Sequence, residues 1–283
     1  GRRPPRKGEV FGLMTPDRHS PDSSEAETDF GLIETLLWTP EGGFALLPEH
    51  LARLAASSAA LGFRHDGEKV QAALSQIVSD FVPNDATASP LPRSGGGTGR
   101  GPCNPELVEA DIPPPQPSPA LRERGQIVAL PQRLRVRLVL SRDGSIETSA
   151  TPIEPVPPET VWRVALAEPR FSSADPLLQH KTTRRALYED ALAEAAKHQG
   201  ADEVLFLNER DELCESARCS LFVPCGDILL TPPLSSGLLA GTLRARLIAQ
   251  GRAREAVLRP DDLGREFYLG NSVRGLVRAR RIA

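Results

Sequence analysis

The chain has few cysteines, no long apolar segment and little net charge, and each shortage narrows the class of protein. Four cysteines in 283 residues form no C-x-x-C pair and have no histidine at metal-ligand spacing. We therefore expect no metal site and no disulfide framework, with reduced thiols in a cytoplasmic protein. The longest apolar stretches, such as 228–230, are too short to span a membrane, and no secretory signal opens the chain. A formal net charge of -3 favours neither nucleic acid nor a membrane surface as a partner.

Lysine is also scarce, which limits the residues that could supply a nucleophilic amine. Of the 34 basic residues only four are lysines: Lys7, Lys69, Lys181 and Lys197. Lys7 lies in a segment rich in proline and arginine. Chemistry that needs an amine therefore has few candidates in this chain.

Length and composition predict two modest domains joined by a linker. Residues 1–28 are polar and are interpreted as a tail, and because the first residue is glycine we expect a longer polypeptide. A small α/β domain is predicted over 29–149. Within it, the Pro-, Gly- and Ser-rich stretch at about 83–125 is predicted to be a disordered insertion without a role in chemistry. The Pro-rich segment 150–158 is the predicted linker, and 159–283 the predicted larger, β-rich domain.

Apolar periodicity predicts the elements that would position a site. A hairpin is expected over 30–47, followed by a helix from Pro48 that ends at Gly62 and by a second helix at about 68–81. In the second half, a helix is expected at roughly 182–198 and one long strand over 213–224.

Three features of the second half could carry chemistry. Lys181 is predicted where a loop enters a helix; a solvated lysine is the ordinary explanation, but a helix N-terminus disfavours a cation. Glu215 lies in a strand of small and apolar residues, where a carboxylate is either at an edge facing water or paired with a cation. Gly241 and Thr242 begin a helix after a Ser/Gly loop. Free N–H groups there suit a phosphate, although glycine is also an ordinary residue at a helix start.

Taken together, these motifs resemble those of the fold-type IV pyridoxal-phosphate (PLP) enzymes, which include branched-chain and D-amino-acid aminotransferases and 4-amino-4-deoxychorismate lyases. The matching motifs are HKTTRR, E-x-x-x-x-S-L-F, the G-T-L-R helix start, the H-L-x-R-L helix and the loop Y-L-G-N-S-V-R-G-L. The resemblance runs over about 30–283, interrupted by 83–125. It implies a two-domain α/β fold, with a small α/β N-terminal domain and a larger β-rich α/β C-terminal domain.

The resemblance also implies a role for each matching residue. Lys181 would carry PLP as a Schiff base and act as the proton-transfer base. Glu215 would pair with the pyridine nitrogen and so make the ring an electron sink. The remaining implied ligands face the phosphate or the substrate carboxylate: Arg53, Gly241, Thr242, Leu243, Asn271 and Ser272. Asn271 is assigned to the substrate and the others to the cofactor. Without the family, an exposed helix arginine would explain Arg53 equally well.

The first strand departs from many family members. Ile33 stands in place of Phe in F-E-T, Leu37 in place of the usual Arg, and the acidic Gly-rich loop before them is absent. This start, with K-T-T-x-R and G-N-S-V-R-G-L, is most like lyase domains fused behind an aminodeoxychorismate synthase component. The implied reaction converts 4-amino-4-deoxychorismate to 4-aminobenzoate and pyruvate by β-elimination, a step toward folate, in a homodimer. Two alternatives stay open: a class IV aminotransferase for branched-chain or D-amino acids, and a non-catalytic interaction or regulatory domain.

Overall fold

The computed structural model describes residues 30–81 and 133–282. The predicted tail at 1–28 and the predicted insertion at 83–125 lie outside the described residues, so both stay predictions. Within the described residues, no helix has the length and apolar character needed to cross a membrane.

A four-stranded antiparallel sheet, here called the small sheet, is built from segments on both sides of the gap between 81 and 133, in the order β2-β1-β3-β4. Its strands are β1 (Leu32–Thr39), β2 (Gly43–Phe44), β3 (Leu134–Leu140) and β4 (Ile146–Pro152). Apolar and polar residues alternate along β3, so one face of the sheet is buried and the other carries arginines.

Two helices cover the apolar face of the small sheet: α1 (Leu47–Leu61) and α2 (Gly67–Ser79). Both predicted helices are confirmed to within two residues. α1 has a proline in its first turn and ends at Gly62, whose φ of 71° favours glycine. Asp66 caps α2 by accepting hydrogen bonds from two main-chain N–H groups of its first turn. The leucines and valines of both helices pack against β1 and β3 in one core.

The second half of the chain forms a large sheet in the order β10-β9-β8-β11-β12-β5-β6-β7. Because β7 also pairs with β8, six of these strands close into a ring around an apolar core. The strands are β5 (Val161–Phe171), β6 (Glu203–Asn208), β7 (Leu213–Ser216), β8 (Ser220–Cys225), β9 (Ile228–Thr231), β10 (Ala253–Glu255), β11 (Phe267–Asn271) and β12 (Gly275–Arg281). Helices α3 (Ala186–Gln199) and α4 (Thr242–Ala249) pack on its outside. The predicted α/β class is confirmed.

The structure corrects two sequence predictions in this half. The helix predicted at 182–198 begins at Ala186, because the preceding residues pair with the edge of β1 that β2 leaves free. Thr182 bridges to Leu32, and Ile33 N–H donates to the Lys181 carbonyl at 2.7 Å. The single strand predicted over 213–224 is two strands, β7 and β8.

The break between β7 and β8 is a tight turn built on Ser216. Its hydroxyl accepts the N–H of Cys219 at 2.9 Å, and its own N–H donates to the Cys219 carbonyl at 2.8 Å. The Ser216 hydroxyl therefore stabilises a turn that the alternation of apolar and polar residues did not predict. β4 also extends to Pro152, so the first residues of the predicted linker 150–158 belong to the small sheet. The domain boundaries themselves stay a prediction.

Candidate active site

A cavity of about 880 Å³ lies between the two sheets. The eight residues singled out from the sequence come from five separate stretches of chain, and all of them line this cavity: Arg53, Lys181, Glu215, Gly241, Thr242, Leu243, Asn271 and Ser272. A cavity of this size is typical of a site for a small molecule or cofactor. Among the described residues, no three His, Cys, Asp or Glu side chains are grouped as a metal site would require.

Lys181 is held by main-chain pairing with β1 and not by a helix. Four residues separate it from α3, so the helix-dipole argument from the sequence does not apply. Burial lowers the pKa of Lys181 from its ordinary 10.5 to about 8, and the positive charges of Arg185 and Arg53 act in the same direction. Glu34 and Glu215 oppose this shift. An amine with this pKa is partly neutral near pH 7, as a nucleophile or a proton acceptor must be.

Glu215 lies on β7, where it is buried, and it makes no ion pair with any described residue. Burial excludes the water-facing edge, and pairing with a cation stays a prediction, because the cation that the resemblance implies is the pyridine nitrogen of the cofactor. Tyr188 donates its hydroxyl proton to Glu215 Oε1 at 3.0 Å, and the main-chain N–H of Leu239 donates to the same carboxyl group. Burial nevertheless raises the pKa of Glu215 to about 7, against both hydrogen bonds and the charge of Lys181. The carboxyl group is poised to gain or lose a proton.

Tyr188 is fixed by the residues packed around its ring. Phe171 and Phe206 stack on each other with centroids 4.6 Å apart, and both contact the tyrosine ring. The Arg185 guanidinium lies 4.7 Å from the Tyr188 ring centroid. Burial, with the nearby Glu215 carboxylate, raises the pKa of Tyr188, so the phenol keeps its proton and acts as a donor. The tyrosine therefore sets the orientation of the Glu215 carboxyl group.

The helix start predicted at Gly241 is confirmed, with Gly241 as the N-cap of α4. A Cβ at this position would lie 2.5 Å from Ser220 Oγ, so any other residue here would require the Ser220 hydroxyl to move. The first N–H groups of the helix, at Thr242 and Leu243, have no partner within the helix and belong to residues that line the cavity. Together with the helix dipole, they suit a bound anion.

Arg53 lies on α1 and is not the exposed arginine that its helix position alone would suggest, since its side chain is only 11% exposed. Its Nε donates to Glu34 Oε1 at 2.8 Å, its Nη2 to Glu34 Oε2 at 2.5 Å, and its Nη1 to the Ala240 carbonyl at 3.1 Å. Three of its five N–H groups are engaged. Two remain for an anion in the cavity.

Asn271 and Ser272 follow each other at the end of β11 but have different surroundings. The Asn271 carbonyl oxygen accepts two main-chain N–H groups, and its amide donates to the Arg218 carbonyl at 3.1 Å and to Cys219 Sγ at 3.3 Å. It holds the loop and has no free donor for a substrate. Ser272 Oγ lies 3.0 Å from His50 Nε2.

Sequence reasoning missed several residues of this site. Arg135 and Arg137 alternate on β3 and line the cavity beside Thr35, Ser149 and Thr151 of the neighbouring strands; we call these five residues the substrate wall. Neither arginine side chain makes an ion pair or a hydrogen bond with a described residue. The R-x-R spacing on a strand of period two was the available signal, because it places both charges on the face opposite the core.

Tyr188 was also missed, although it lies seven residues after Lys181 and three residues after the motif HKTTRR. His50 begins the H-L-x-R-L motif and Glu34 lies in the first strand, and nothing in the sequence shows that they meet. The tertiary fold brings these residues to their partners, since Glu34 and His50, like Tyr188 and Glu215, are at least 16 residues apart along the chain.

The sequence of this chain is similar to those of known proteins. A family model for "Amino-transferase class IV" matches residues 120–282, more than half of the chain. A Schizosaccharomyces pombe protein named "Putative aminodeoxychorismate lyase" is 26% identical over 249 residues, 86% of each chain.

Solved structures show the same fold. A "Putative amino-acid aminotransferase" from Mesorhizobium loti is 34% identical, with a TM-score of 0.67 over 90% of this chain and 100% of the other. The PLP-bound form of "A hypothetical aminotransferase" from Mycobacterium tuberculosis has a TM-score of 0.63 over 96% of this chain and 87% of its own. At 21% identity, the second likeness bears on the fold alone.

Proposed function

The chain belongs to the class IV aminotransferase family, its cofactor is pyridoxal phosphate, and we propose that it is a lyase that converts 4-amino-4-deoxychorismate to 4-aminobenzoate and pyruvate. The cavity fits the cofactor. It combines a partly neutral lysine, a buried carboxyl group and a helix N-terminus whose N–H groups are free. When bound, the cofactor supplies an electron sink for charge that develops beside its amine.

We assign the cofactor roles by the chemistry of each side chain. The Lys181 amine would hold the cofactor aldehyde and later accept a proton. Glu215, oriented by Tyr188, would hold the pyridine nitrogen. The two free N–H groups of Arg53, with those of Thr242 and Leu243, would bind the phosphate. Gly241 allows the close approach of that helix start, and the Ser272 hydroxyl lies at the same end of the cavity.

The substrate wall is the single observation that carries the choice of substrate. Arg135 and Arg137 present two guanidinium groups to the cavity, and no carboxylate among the described residues pairs with them. 4-Amino-4-deoxychorismate has two carboxylates, and each can form a bidentate pair with an arginine. A branched-chain amino acid has an apolar side chain, for which this polar wall supplies no matching surface.

Apart from the electron sink that the bound cofactor would supply, the proposed elimination needs only groups of this chain. The neutral Lys181 amine takes the proton from the ring carbon that bears nitrogen. The adjacent carbon–oxygen bond then breaks, with its electron pair leaving on the enolpyruvyl oxygen, and the ring becomes aromatic. After protonation the leaving group is pyruvate. No amino acceptor takes part, and this distinguishes the lyase from a transaminase.

An aminotransferase is the second candidate, favoured by the 34% identity to the Mesorhizobium loti protein. A non-catalytic domain is less consistent with the cavity, because burying a lysine and a carboxyl group away from water destabilises a fold that gains nothing from them. Purified protein that shows no cofactor absorbance even after PLP is added would favour that third reading.

Two incubations separate the first two candidates. The PLP-loaded protein is given aminodeoxychorismate without an acceptor, and pyruvate is followed with lactate dehydrogenase. In parallel it is given branched-chain or D-amino acids with 2-oxoglutarate, and glutamate is measured. We expect pyruvate in the first and little glutamate in the second. Glutamate formation without any pyruvate would reject the lyase and leave the cofactor site standing.

The setting of the enzyme is part of the same proposal. We propose a two-fold homodimer in the cytoplasm, associated with or fused to an aminodeoxychorismate synthase component that would supply the substrate. Light scattering of the purified protein would test the dimer.

A further inference from the structure

A buried carboxylate, Glu34 on β1, lies behind the phosphate end of the cavity and does not line it. Arg53 grips both of its oxygens, and His50 Nδ1 lies 2.6 Å from Oε2. Burial alone would raise the pKa of Glu34. The charge of Arg53 and the hydrogen bonds from His50 and Arg53 outweigh it and lower the pKa to about 2. Glu34 is therefore ionised at neutral pH, so the proton between it and the imidazole belongs to His50 Nδ1.

His50 extends from this carboxylate to two hydroxyl groups of the cavity. Its ring is 1% exposed, and Nε2 lies 3.0 Å from Ser272 Oγ and 3.4 Å from Thr242 Oγ1. These hydroxyls come from different places, the loop after β11 and the first residue of α4. With Nδ1 committed to Glu34, the ring plane and the position of Nε2 are fixed.

Arg53 makes a third connection from the same carboxylate. Its Nη1 donates to the carbonyl of Ala240, directly before the N-cap glycine of α4. Through Arg53 and His50, Glu34 is thus connected to the groups at the phosphate end of the cavity: the guanidinium, the start of α4 and the serine hydroxyl. A contact that only joined the two sheets would not be expected to reach all of these groups.

We propose that Glu34 and His50 are positioning residues for the phosphate of PLP: the carboxylate orients Arg53, and the imidazole orients the hydroxyls of Ser272 and Thr242. This inference rests on the proposed phosphate site and holds for a lyase and a transaminase alike. Neither residue lines the cavity. Their loss should weaken binding of the phosphate and leave the ring end of the cofactor unaffected.

Pyridoxal, which lacks the phosphate, is the probe that separates the two ends. Dissociation constants for PLP and pyridoxal are measured on apo-protein by absorbance titration for wild type, His50→Asn and Glu34→Gln. Asparagine can replace Nδ1 toward Glu34 but cannot reach the two hydroxyls. We expect the PLP constant to rise about tenfold in His50→Asn, the size of one lost hydrogen bond to a charged network, with pyridoxal nearly unchanged. Glu34→Gln keeps the shape of the side chain, removes its charge and should act in the same direction.

The matched control is Arg246→Met. Arg246 on α4 pairs with Glu49 on α1, so it also joins the two halves, but neither residue lines the cavity. We expect it to lower thermal stability without changing the ratio of the PLP and pyridoxal constants. Equal losses for both probes in His50→Asn, or the same change of ratio in Arg246→Met, would show that His50 is only a structural contact and overturn the inference.

Two further measurements distinguish an incorrect phosphate site from an incorrect role for His50. If wild type itself binds PLP no better than pyridoxal, or if Arg53→Gln loses no preference, the phosphate site is wrongly placed. If His50→Asn does not fold, the ratio of the PLP and pyridoxal dissociation constants in Glu34→Gln tests the inference instead. Because His50 acts through Ser272, the double variant with Ser272→Ala should lose little more PLP affinity than the larger single loss. Strictly additive losses would count against the connection.

Discussion

The substrate wall and the groups that face it from the other half of the chain both carry ionisable side chains, but these differ in solvation and pairing. Arg135 and Arg137 are exposed to the cavity and have no ion-pair partner among the described residues. On the other side lie Lys181 and Glu215, which we call the cofactor wall, and burial moves their pKa values toward neutrality. Exposed fixed charges suit recognition of an anionic substrate, whereas buried groups that titrate near neutral pH suit proton transfer.

The largest expected effect is on the cofactor wall. Lys181→Ala removes the amine that holds the cofactor and accepts the proton, so kcat should fall by at least about 10⁴ and PLP should be lost on dialysis. Lys197→Ala, on the exposed last turn of α3, is the control and should behave as wild type. Turnover in Lys181→Ala that is close to wild type would remove the basis of the cofactor wall.

Glu215→Gln should come next. A neutral amide cannot stabilise a protonated pyridine nitrogen, so kcat is expected to fall about 10²- to 10³-fold while the cofactor stays attached to Lys181. Tyr188→Phe, which removes one hydrogen bond to the same carboxyl group, should lower kcat only about tenfold. Absorbance of the loaded variants and steady-state rates test both. A larger loss in Tyr188→Phe than in Glu215→Gln would contradict the order of roles.

The substrate wall should respond in a different parameter. Arg135→Gln and Arg137→Gln are each expected to raise KM for aminodeoxychorismate about 10- to 100-fold, the range for a lost charged hydrogen bond, with PLP affinity unchanged. Arg280→Gln, exposed on β12 away from the cavity, should change neither. If the wall arginines alter PLP binding and not KM, the division between the two walls is wrong.

The pH dependence of cofactor capture gives a smaller effect. Only the neutral amine attacks the aldehyde, and the pKa of Lys181 in the apo-protein is lowered to about 8. The rate of PLP capture should therefore rise about tenfold per pH unit below pH 8 and level off above it. Stopped-flow absorbance from pH 6 to pH 10 measures this. A midpoint near 10.5 would mean that Lys181 is solvated like an ordinary lysine.

The sequence predicted the parts that depend on local pattern. Pro48, the leucines of α1 and Gly62 bound a helix by rules that act within a few residues, and the Gly241 helix start is equally local. Main-chain pairing of residues 181–183 with β1 was missed, because it depends on which part of an edge β2 leaves open. A side-chain turn at Ser216 likewise broke a strand that alternation predicted as continuous.

The features of the site also divide into those predicted from local motifs and those that depend on distant contacts. The family motifs identified residues that line the cavity, because each motif carries its own residue types. They could not show that Asn271 has no free hydrogen-bond donor, or that Glu34 and His50 meet behind Arg53, since these are contacts between distant segments. The arginines of the substrate wall were visible only as an alternating pattern on β3.

Counting products per active site tests the proposed lyase most directly. A known amount of PLP-loaded protein is mixed with a large excess of aminodeoxychorismate and no oxo acid, and 4-aminobenzoate and pyruvate are quantified together. We expect the two products in equal amounts and many equivalents of each per active site. A transaminase would transfer the amino nitrogen away from the ring, so neither 4-aminobenzoate nor pyruvate above background, with glutamate forming once 2-oxoglutarate is added, would contradict the assignment.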